Sequence, residues 1–240
     1  MGVGVGVLND QTHKDDIAKI NNLIGSTYYN KGDLDKGLEY YELAYGLMMN
    51  DKPIRIKDSA RPLTNIGLIY HRKGQYDRAL ELYLKSIEIF EIYYGKEHIT
   101  TTKTLTNIGN IYTETREYQR ALQYYENIRR IQQQYLPSDH LATAMTLNNI
   151  AVVYKKLNEI HRALEYYQRS LDMKQRILPP DHNDIRVTMM NIADINTEIN
   201  RLYYPVLCCK VSAVKSTILK NREPRCKFIY YSEILGHVSI

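Results

Sequence analysis

Apolar residues recur along this chain at the three- and four-residue intervals of an amphipathic helix. One such face is formed by Leu147, Ile150, Ala151 and Tyr154. After a short polar break a second stretch repeats the same period, with Ile160, Ala163, Leu164, Tyr167 and Leu171. Apolar residues three and four apart lie on one side of an α-helix, so the pattern predicts two amphipathic helices joined by a tight turn.

This two-helix pattern recurs along the chain with a period of 42 residues. A small residue of the first helix marks each copy, at Gly25, Gly67, Gly109, Ala151 and Ala193. Tyr28, Tyr70, Tyr112 and Tyr154 follow it at a constant distance. The second helix carries small residues at Gly37, Ala79, Ala121 and Ala163, and tyrosines at Tyr41, Tyr83, Tyr125 and Tyr167. One hairpin cannot bury its apolar face alone, so the period predicts an all-α solenoid of stacked antiparallel hairpins.

A residue that tolerates left-handed backbone marks the predicted end of most first helices. The five equivalent positions hold Gly32, Gly74, Arg116, Asn158 and Asn200. Glycine and asparagine are the residues that most readily adopt this conformation after a helix. We therefore expect each first helix to end there.

The repeat register divides the chain into three parts. We expect an irregular N-terminal segment at 1–16 and a solenoid at 17–202, with copies at about 17–58, 59–100, 101–142 and 143–184 and a partial copy at 185–202. In the fifth copy Asn196 replaces the first tyrosine, Pro205 the small residue and Cys209 the second tyrosine. Residues 203–240 are therefore interpreted as a degenerate cap or a basic tail.

The basic balance of the chain is concentrated in this tail. The net charge is +5, and residues 203–240 contribute six Lys or Arg against two Glu. A nearly neutral repeat region does not favour nucleic acid, and the scattered tail charges do not favour a membrane surface. All three cysteines, Cys208, Cys209 and Cys226, also lie in the tail and lack zinc-site spacing. No apolar run approaches the roughly 20 residues of a membrane span, and no signal peptide is evident. We expect a cytoplasmic protein.

Three histidines repeat in the same register, each after an acidic residue: His98, His140 and His182. Equivalent positions of a solenoid lie on the order of 10 Å apart, too far to share one metal ion. We expect these histidines to shape the loop that precedes each first helix. With no nucleophile constellation or phosphate-binding loop, we expect neither an enzyme nor a cofactor, metal or small-molecule substrate.

The repeated residues resemble the tetratricopeptide repeat. Its pattern corresponds to Leu63, Ile66, Gly67, Tyr70, Ala79, Tyr83 and Ser86. The 42-residue period and the linkers at 136–140 and 178–182 are similar to the longer repeats of the kinesin light chain family. The resemblance covers about residues 17–202. It implies helical hairpins whose first helices line a concave groove.

In such a groove the first-helix positions opposite the core would face a ligand. The asparagine position holds Asn65, Asn107, Asn149 and Asn191, and the neighbouring cations are Arg61, Arg72, Lys103, Lys155 and Lys156. Amides can donate to and accept from an extended peptide backbone, and the cations favour acidic side chains. The alternative is that the asparagines only join one repeat to the next.

We therefore interpret the chain as a non-catalytic adaptor that binds an extended, acidic segment of a protein partner. Two other functions stay open. The chain could be the regulatory repeat region of a larger enzyme, which a reading frame with a catalytic domain would show. It could instead form oligomers through exposed repeat ends, which a concentration-dependent mass would show.

Overall fold

The computed structural model describes the backbone of residues 3–50 and 56–220, and the side chains of residues 16–50 and 56–201. Two compact units are present, Met1–Met189 and Met190–Ile240. Within the described ranges all regular structure is helical: α1 (Val3–Lys31), α2 (Leu34–Met49), α3 (Ile56–Arg72), α4 (Tyr76–Tyr94), α5 (Thr102–Glu114), α6 (Tyr118–Tyr135), α7 (Leu141–Lys156), α8 (Ile160–Ile177) and α9 (Asn183–Lys220), with a 3-10 turn at Ile99–Thr101 before α5. The predicted all-α solenoid is confirmed.

Four helical hairpins form the first unit, and each pairs an odd-numbered helix with the even-numbered one that follows. Their turns contain the predicted left-handed residues, with φ of +85° at Gly32, +72° at Gly74, +65° at Arg116 and +61° at Asn158. Arginine has no intrinsic preference for this region, so the packing of α5 against α6 must hold Arg116 there.

Both ends of the repeat array differ from expectation. Helix α1 begins at Val3, so helical backbone covers most of the segment 1–16 that was expected to be irregular. Helix α9 runs through Asn200 to Lys220 without a turn, so the expected end of the fifth first helix is wrong. Asparagine permits left-handed backbone but does not impose it. The remainder of the predicted tail, 221–240, lies outside the described residues.

In each of the first three hairpins, a tyrosine ring of the second helix packs directly against a glycine of the first helix. A Cβ added to Gly25 would stand 2.7 Å from the Tyr41 ring, and one added to Gly67 would stand 2.6 Å from the Tyr83 ring. Gly109 has the same relation to Tyr125, at 2.8 Å. These distances are shorter than carbon atoms normally approach, so the glycines allow the two helices to pack this closely.

The following hairpin covers the other side of each tyrosine. Tyr41 clusters with Ile66 and Ile69 of α3. Tyr83 clusters with Ile108 and Ile111 of α5, and Tyr125 with Ile150 and Val153 of α7. All of these side chains are buried. The hydrophobic core is therefore shared between neighbouring repeats, as a solenoid requires.

The buried tyrosine hydroxyls differ in their hydrogen bonds. Tyr41 donates to Ser26 Oγ at 3.1 Å, and Tyr125 donates to Asn110 Oδ1 at 2.6 Å. Leu68 occupies the equivalent position in the second hairpin, and the Tyr83 hydroxyl has no partner within the described part of the chain. Burial raises the pKa of Tyr41, Tyr83 and Tyr125, because it removes water from the charged phenolate.

The repeated histidines lie just before the helices that they were predicted to precede. His140 Nδ1 accepts from the backbone N–H of Ala142 at 3.1 Å, and His182 Nδ1 accepts from Asp184 at 3.1 Å. His98 accepts from Thr100 at 3.3 Å. Each imidazole thus bonds an N–H that would lack a partner at the start of its helix. At two positions the acidic residue before the histidine forms an ion pair.

The acids before His98 and His140 form ion pairs with the second helix of the next hairpin. Glu97 pairs with Arg130, and Asp139 accepts from Arg176 Nε and Nη2, each at 2.7 Å. The arginines lower the pKa of both carboxyl groups. These pairs therefore connect a loop to a neighbouring hairpin, in addition to any interaction with the helix dipole.

Ala121→Leu tests the predicted close approach of α5 and α6. Ala121 is fully buried in the cluster that contains Tyr125. A larger side chain should overpack the site and lower the free energy of unfolding by about 1–3 kcal/mol. Chemical denaturation measures this loss. Gln123, an exposed residue two positions further along α6, supplies the control Gln123→Leu. Equal losses of stability for the two substitutions would contradict the packing assignment.

His140→Ala should lower the free energy of unfolding by about 1 kcal/mol, because it removes a helix N-cap. His140→Ser should recover most of the loss, since a serine hydroxyl can accept the same backbone hydrogen bond. Thermal and chemical denaturation of both variants measures the difference. If serine is no better than alanine, His140 stabilises the loop through packing rather than through its hydrogen bond.

Stability should fall as the pH rises from 10 to 12, because burial raises the pKa of Tyr125 to about 12. Over this range the folded protein retains a proton that the unfolded chain, with a phenol pKa near 10, loses. The contribution of Tyr125 to this loss is about 2–3 kcal/mol.

Denaturation curves across this range should show a shallower decline for Tyr125→Phe than for the wild type. The other tyrosines with a raised pKa also contribute to the decline, namely Tyr41, Tyr76, Tyr83, Tyr124 and Tyr166. Tyr135→Phe, at a side chain that is 47% exposed, is the control and should leave the slope unchanged. Identical slopes for all three proteins would rule out the effect.

Candidate peptide groove

The candidate groove is built from three positions of each first helix. We use the term groove face for Lys19, Leu23 and Asn30 of α1 together with the residues that occupy the equivalent positions of α3, α5 and α7, at intervals of 42. These equivalents are Arg61, Asn65 and Arg72 in α3, Lys103, Asn107 and Glu114 in α5, and Met145, Asn149 and Lys156 in α7. Helical periodicity places the three positions on one side of each helix, away from the glycine that meets the tyrosine.

The cations of the groove face are exposed, and they differ in how they are held. Within the described ranges, no hydrogen bond or ion pair engages the side chain of Arg61, Lys103 or Lys156. Arg72 lies over the Tyr29 ring at 4.8 Å, which restrains its guanidinium at the surface. Lys155 is half-buried and has a partner. It is therefore a weaker candidate than Lys156 for contact with a ligand.

The four predicted asparagines occupy different environments. Asn65 Nδ2 donates to Asn22 Oδ1 of the preceding repeat at 2.8 Å. Asn107 is only 9% exposed, although we expected this position to face solvent, and its Nδ2 has no partner among the described residues. Asn149 is half-buried. Asn191 is half-buried in the second unit. Asn65 thus joins two repeats. Of the three predicted asparagines in the first unit, Asn149 is the one that is neither fully buried nor hydrogen-bonded to a neighbouring repeat.

The missing hydrogen-bond partner of Asn107 has a local cause. The residue equivalent to Asn22 is Thr64, whose shorter side chain is engaged in a buried network. Thr64 Oγ1 lies 2.7 Å from Ser86 Oγ and 3.1 Å from Thr104 Oγ1. The contact that holds Asn65 is therefore not repeated one hairpin later.

Sequence reasoning did not identify a polar group at the edge of the groove face. Glu114 of α5 accepts a hydrogen bond from His71 of α3, with 3.0 Å between Oε2 and Nε2. Proximity to the same carboxylate raises the pKa of Tyr76 of α4. These residues come from three helices, and their spacing matches no repeated motif. The only available signal was the carboxylate itself, at a position that holds Asn, Arg or Lys in the other first-unit repeats.

The electrostatic character of the groove face is positive. Its twelve positions in α1, α3, α5 and α7 hold Lys19, Arg61, Arg72, Lys103 and Lys156 against the single carboxylate of Glu114. Exposed charges of one sign on a shared face attract ligands of the opposite sign. The arrangement is suited to binding carboxylates. Across the residues with described side chains, no group of three His, Cys, Asp or Glu is placed to hold a metal ion.

Membrane insertion is a separate question. None of the helices, over the part of the chain that was searched, combines the length and apolar character that a membrane span needs.

Comparison with known proteins identifies the repeat. The tetratricopeptide repeat family model matches residues 58–134, 100–176 and 142–202, and a second tetratricopeptide repeat model matches residues 18–47. Together these matches cover most of the chain. No curated protein matches the sequence.

Several solved structures share the fold. BtubC (BKLC) from P. vanneervenii is 17% identical, with 90% of this chain and 86% of that chain covered and a TM-score of 0.71. A Podosopora anserina protein described as having kinesin light chain nearly identical TPR-like repeats is 17% identical, with coverage of 88% and 99% and a TM-score of 0.63. The apo form of RapI is 22% identical, with coverage of 67% and 57% and a TM-score of 0.57. At these identities the likeness concerns the fold alone.

Proposed function

Because the chain belongs to the tetratricopeptide repeat family, whose repeats generally mediate protein–protein interaction, we propose that it is a non-catalytic adaptor. Its ligand is an extended, acidic segment of a partner protein. The segment lies along the groove face, where its carboxylates meet cations from successive repeats. The adaptor works in the cytoplasm and requires no cofactor.

The observation that carries this proposal is the set of uncommitted cations on the groove face. Arg61, Lys103 and Lys156 come from three consecutive first helices, and each is exposed and unpaired within the described part of the chain. Several exposed cations of the second helices instead pair with an acid, as Lys85 does with Glu81 and Arg120 with Glu117. An unpaired lysine or arginine is free to bind a ligand carboxylate without breaking an existing ion pair.

The amide groups supply the second part of the interaction. Asn149 lies on the same helix as Lys156 and is half-buried, so its side chain loses little conformational entropy on binding. It can donate to a peptide carbonyl and accept from a peptide N–H. Asn65, whose Nδ2 already donates to Asn22, contributes mainly to the junction between the first two hairpins.

Affinity capture with the full chain, followed by peptide mapping, should yield partner segments rich in Asp and Glu. Each of Lys103→Glu and Lys156→Glu should then weaken the captured peptide by roughly fivefold, since an exposed ion pair contributes up to about 1 kcal/mol. Titration calorimetry measures the change, and the wild-type affinity should fall as salt is added. Lys96→Glu is the matched control, with the same charge change in the loop after α4. Equal effects at all three positions would contradict the groove.

The asparagines are tested by measuring affinity and stability on the same variants. Asn149→Ala should cost roughly 0.5–1.5 kcal/mol of binding free energy and leave the melting temperature nearly unchanged. Asn65→Ala should instead lower the melting temperature, because it removes the hydrogen bond to Asn22. Asn107→Ala distinguishes the same alternatives at the buried position. Destabilisation with unchanged intrinsic affinity at both Asn107 and Asn149 would show that the asparagines only join repeats.

A further inference from the structure

Glu114 lies beside two polar side chains of the preceding hairpin. Its Oε2 atom accepts from His71 Nε2 at 3.0 Å. Proximity to the same carboxylate, through hydrogen bonding and negative charge, raises the pKa of the Tyr76 hydroxyl. His71 and Tyr76 lie edge to face, with 5.8 Å between their ring centroids. An imidazole N–H and a phenol therefore lie next to one carboxylate.

His71 is more deeply buried than the Glu114 side chain that it contacts. His71 lies in the last turn of α3 and its side chain is 13% exposed. Tyr76 is the first residue of α4, on the other side of the same short turn. The side chain of Glu114 is 50% exposed at the last residue of α5 and reaches across the junction between two hairpins. Exposed pairs of this kind are weak and exchange readily with other partners.

Glu114 is the one acid among the groove-face positions of α1, α3, α5 and α7, and Glu198 stands at the equivalent position of α9. The equivalent residues in α1, α3 and α7 are Asn30, Arg72 and Lys156, none of which is acidic. Arg72 directly follows His71 and is exposed. A peptide carboxylate that moves along the cationic face would thus reach the His71 and Tyr76 donors beside another positive charge, and would find them occupied by Glu114.

We propose that His71 and Tyr76 form a carboxylate site within the groove, and that Glu114 occupies this site in the free protein as an internal substitute for a ligand carboxylate. A bound acidic segment displaces the Glu114 side chain toward solvent. The inference rests on the proposed function, since it names the regulation of the same groove. Its consequence is that the free protein binds acidic ligands more weakly than the groove allows.

The competing explanation is that Glu114 only stabilises the contact between the second and third hairpins. The two explanations predict different results for Glu114→Gln, which retains the shape of the side chain and removes its charge. A stabilising role predicts a lower melting temperature and no gain in affinity. A substitute ligand predicts tighter binding, because the apparent dissociation constant falls as the fraction of open sites rises.

The probe is a synthetic octapeptide of alternating Gly and Glu, with its Gly and Gln counterpart as the uncharged reference, titrated into the full chain by calorimetry at low salt. Glu114→Gln should bind the acidic peptide about fivefold more tightly than the wild type. Glu117→Gln supplies the matched control, with the same charge change three residues on at a side chain that pairs with Arg120. It should change the affinity less than twofold.

Tyr76→Phe separates the site from general electrostatics, because it changes no charge. In the Glu114→Gln background it should remove most of the gain in affinity, whereas in the wild-type background it should have little effect on affinity. Equal gains for Glu114→Gln and Glu117→Gln, or a gain that Tyr76→Phe leaves intact, would overturn the proposal.

The outcomes also distinguish this inference from the proposed function. If the wild type binds the acidic peptide and Lys103→Glu weakens this binding, but Glu114→Gln brings no gain, the proposed groove is supported and the proposal that Glu114 acts as an internal substitute is wrong. If neither the wild type nor Glu114→Gln prefers the acidic peptide to the uncharged one, both proposals are wrong.

Discussion

The contact between a tyrosine ring of the second helix and a small residue of the first determines the geometry of each hairpin. At Gly25, Gly67 and Gly109 the ring occupies the space that a Cβ would need, so the two helices approach closely at that level. The same ring is covered on its other side by aliphatic side chains of the next first helix. One residue per repeat therefore sets both the packing within a hairpin and the packing between hairpins, which explains why both the small residue and the tyrosine keep the register. The fourth hairpin has Ala151 at the equivalent position, and both Ala151 and Tyr167 are buried.

This arrangement leaves the opposite side of the first helices free for binding. Because the second helices occupy the glycine side, the positions of Arg61, Lys103 and Lys156 do not take part in the core and carry charge without a desolvation cost. These three cations have no partner within the described ranges, which makes the face chemically suited to an acidic segment. Glu114 is the exception: it accepts from His71 and lies beside Tyr76, both of the neighbouring hairpin. The affinity of the groove would then depend on a contact between repeats as well as on the cations themselves.

The connections between hairpins show a division of roles among polar residues. His98, His140 and His182 bond backbone N–H groups at the start of the following helices, while Glu97 and Asp139 pair with arginines of a neighbouring hairpin. These contacts are exposed or half-buried, so each stabilises the fold modestly. Their repetition in register specifies where each hairpin begins, whereas the buried tyrosines pack against aliphatic side chains of the next hairpin.

The sequence by itself determined the helical hairpins, their 42-residue period and the left-handed turns at Gly32, Gly74 and Asn158, because these depend on local periodicity and on residue type. It also identified the exposed cations, since their positions follow from the helical face opposite the core. Only the tertiary structure decided that Arg116 adopts the same turn, that α9 continues through Asn200, and that Asn65 bonds Asn22 while Asn107 is buried. It alone brought His71, Tyr76 and Glu114 together. These features depend on which side chains of neighbouring helices lie opposite one another, and helix periodicity contains no information about the partner across an interface.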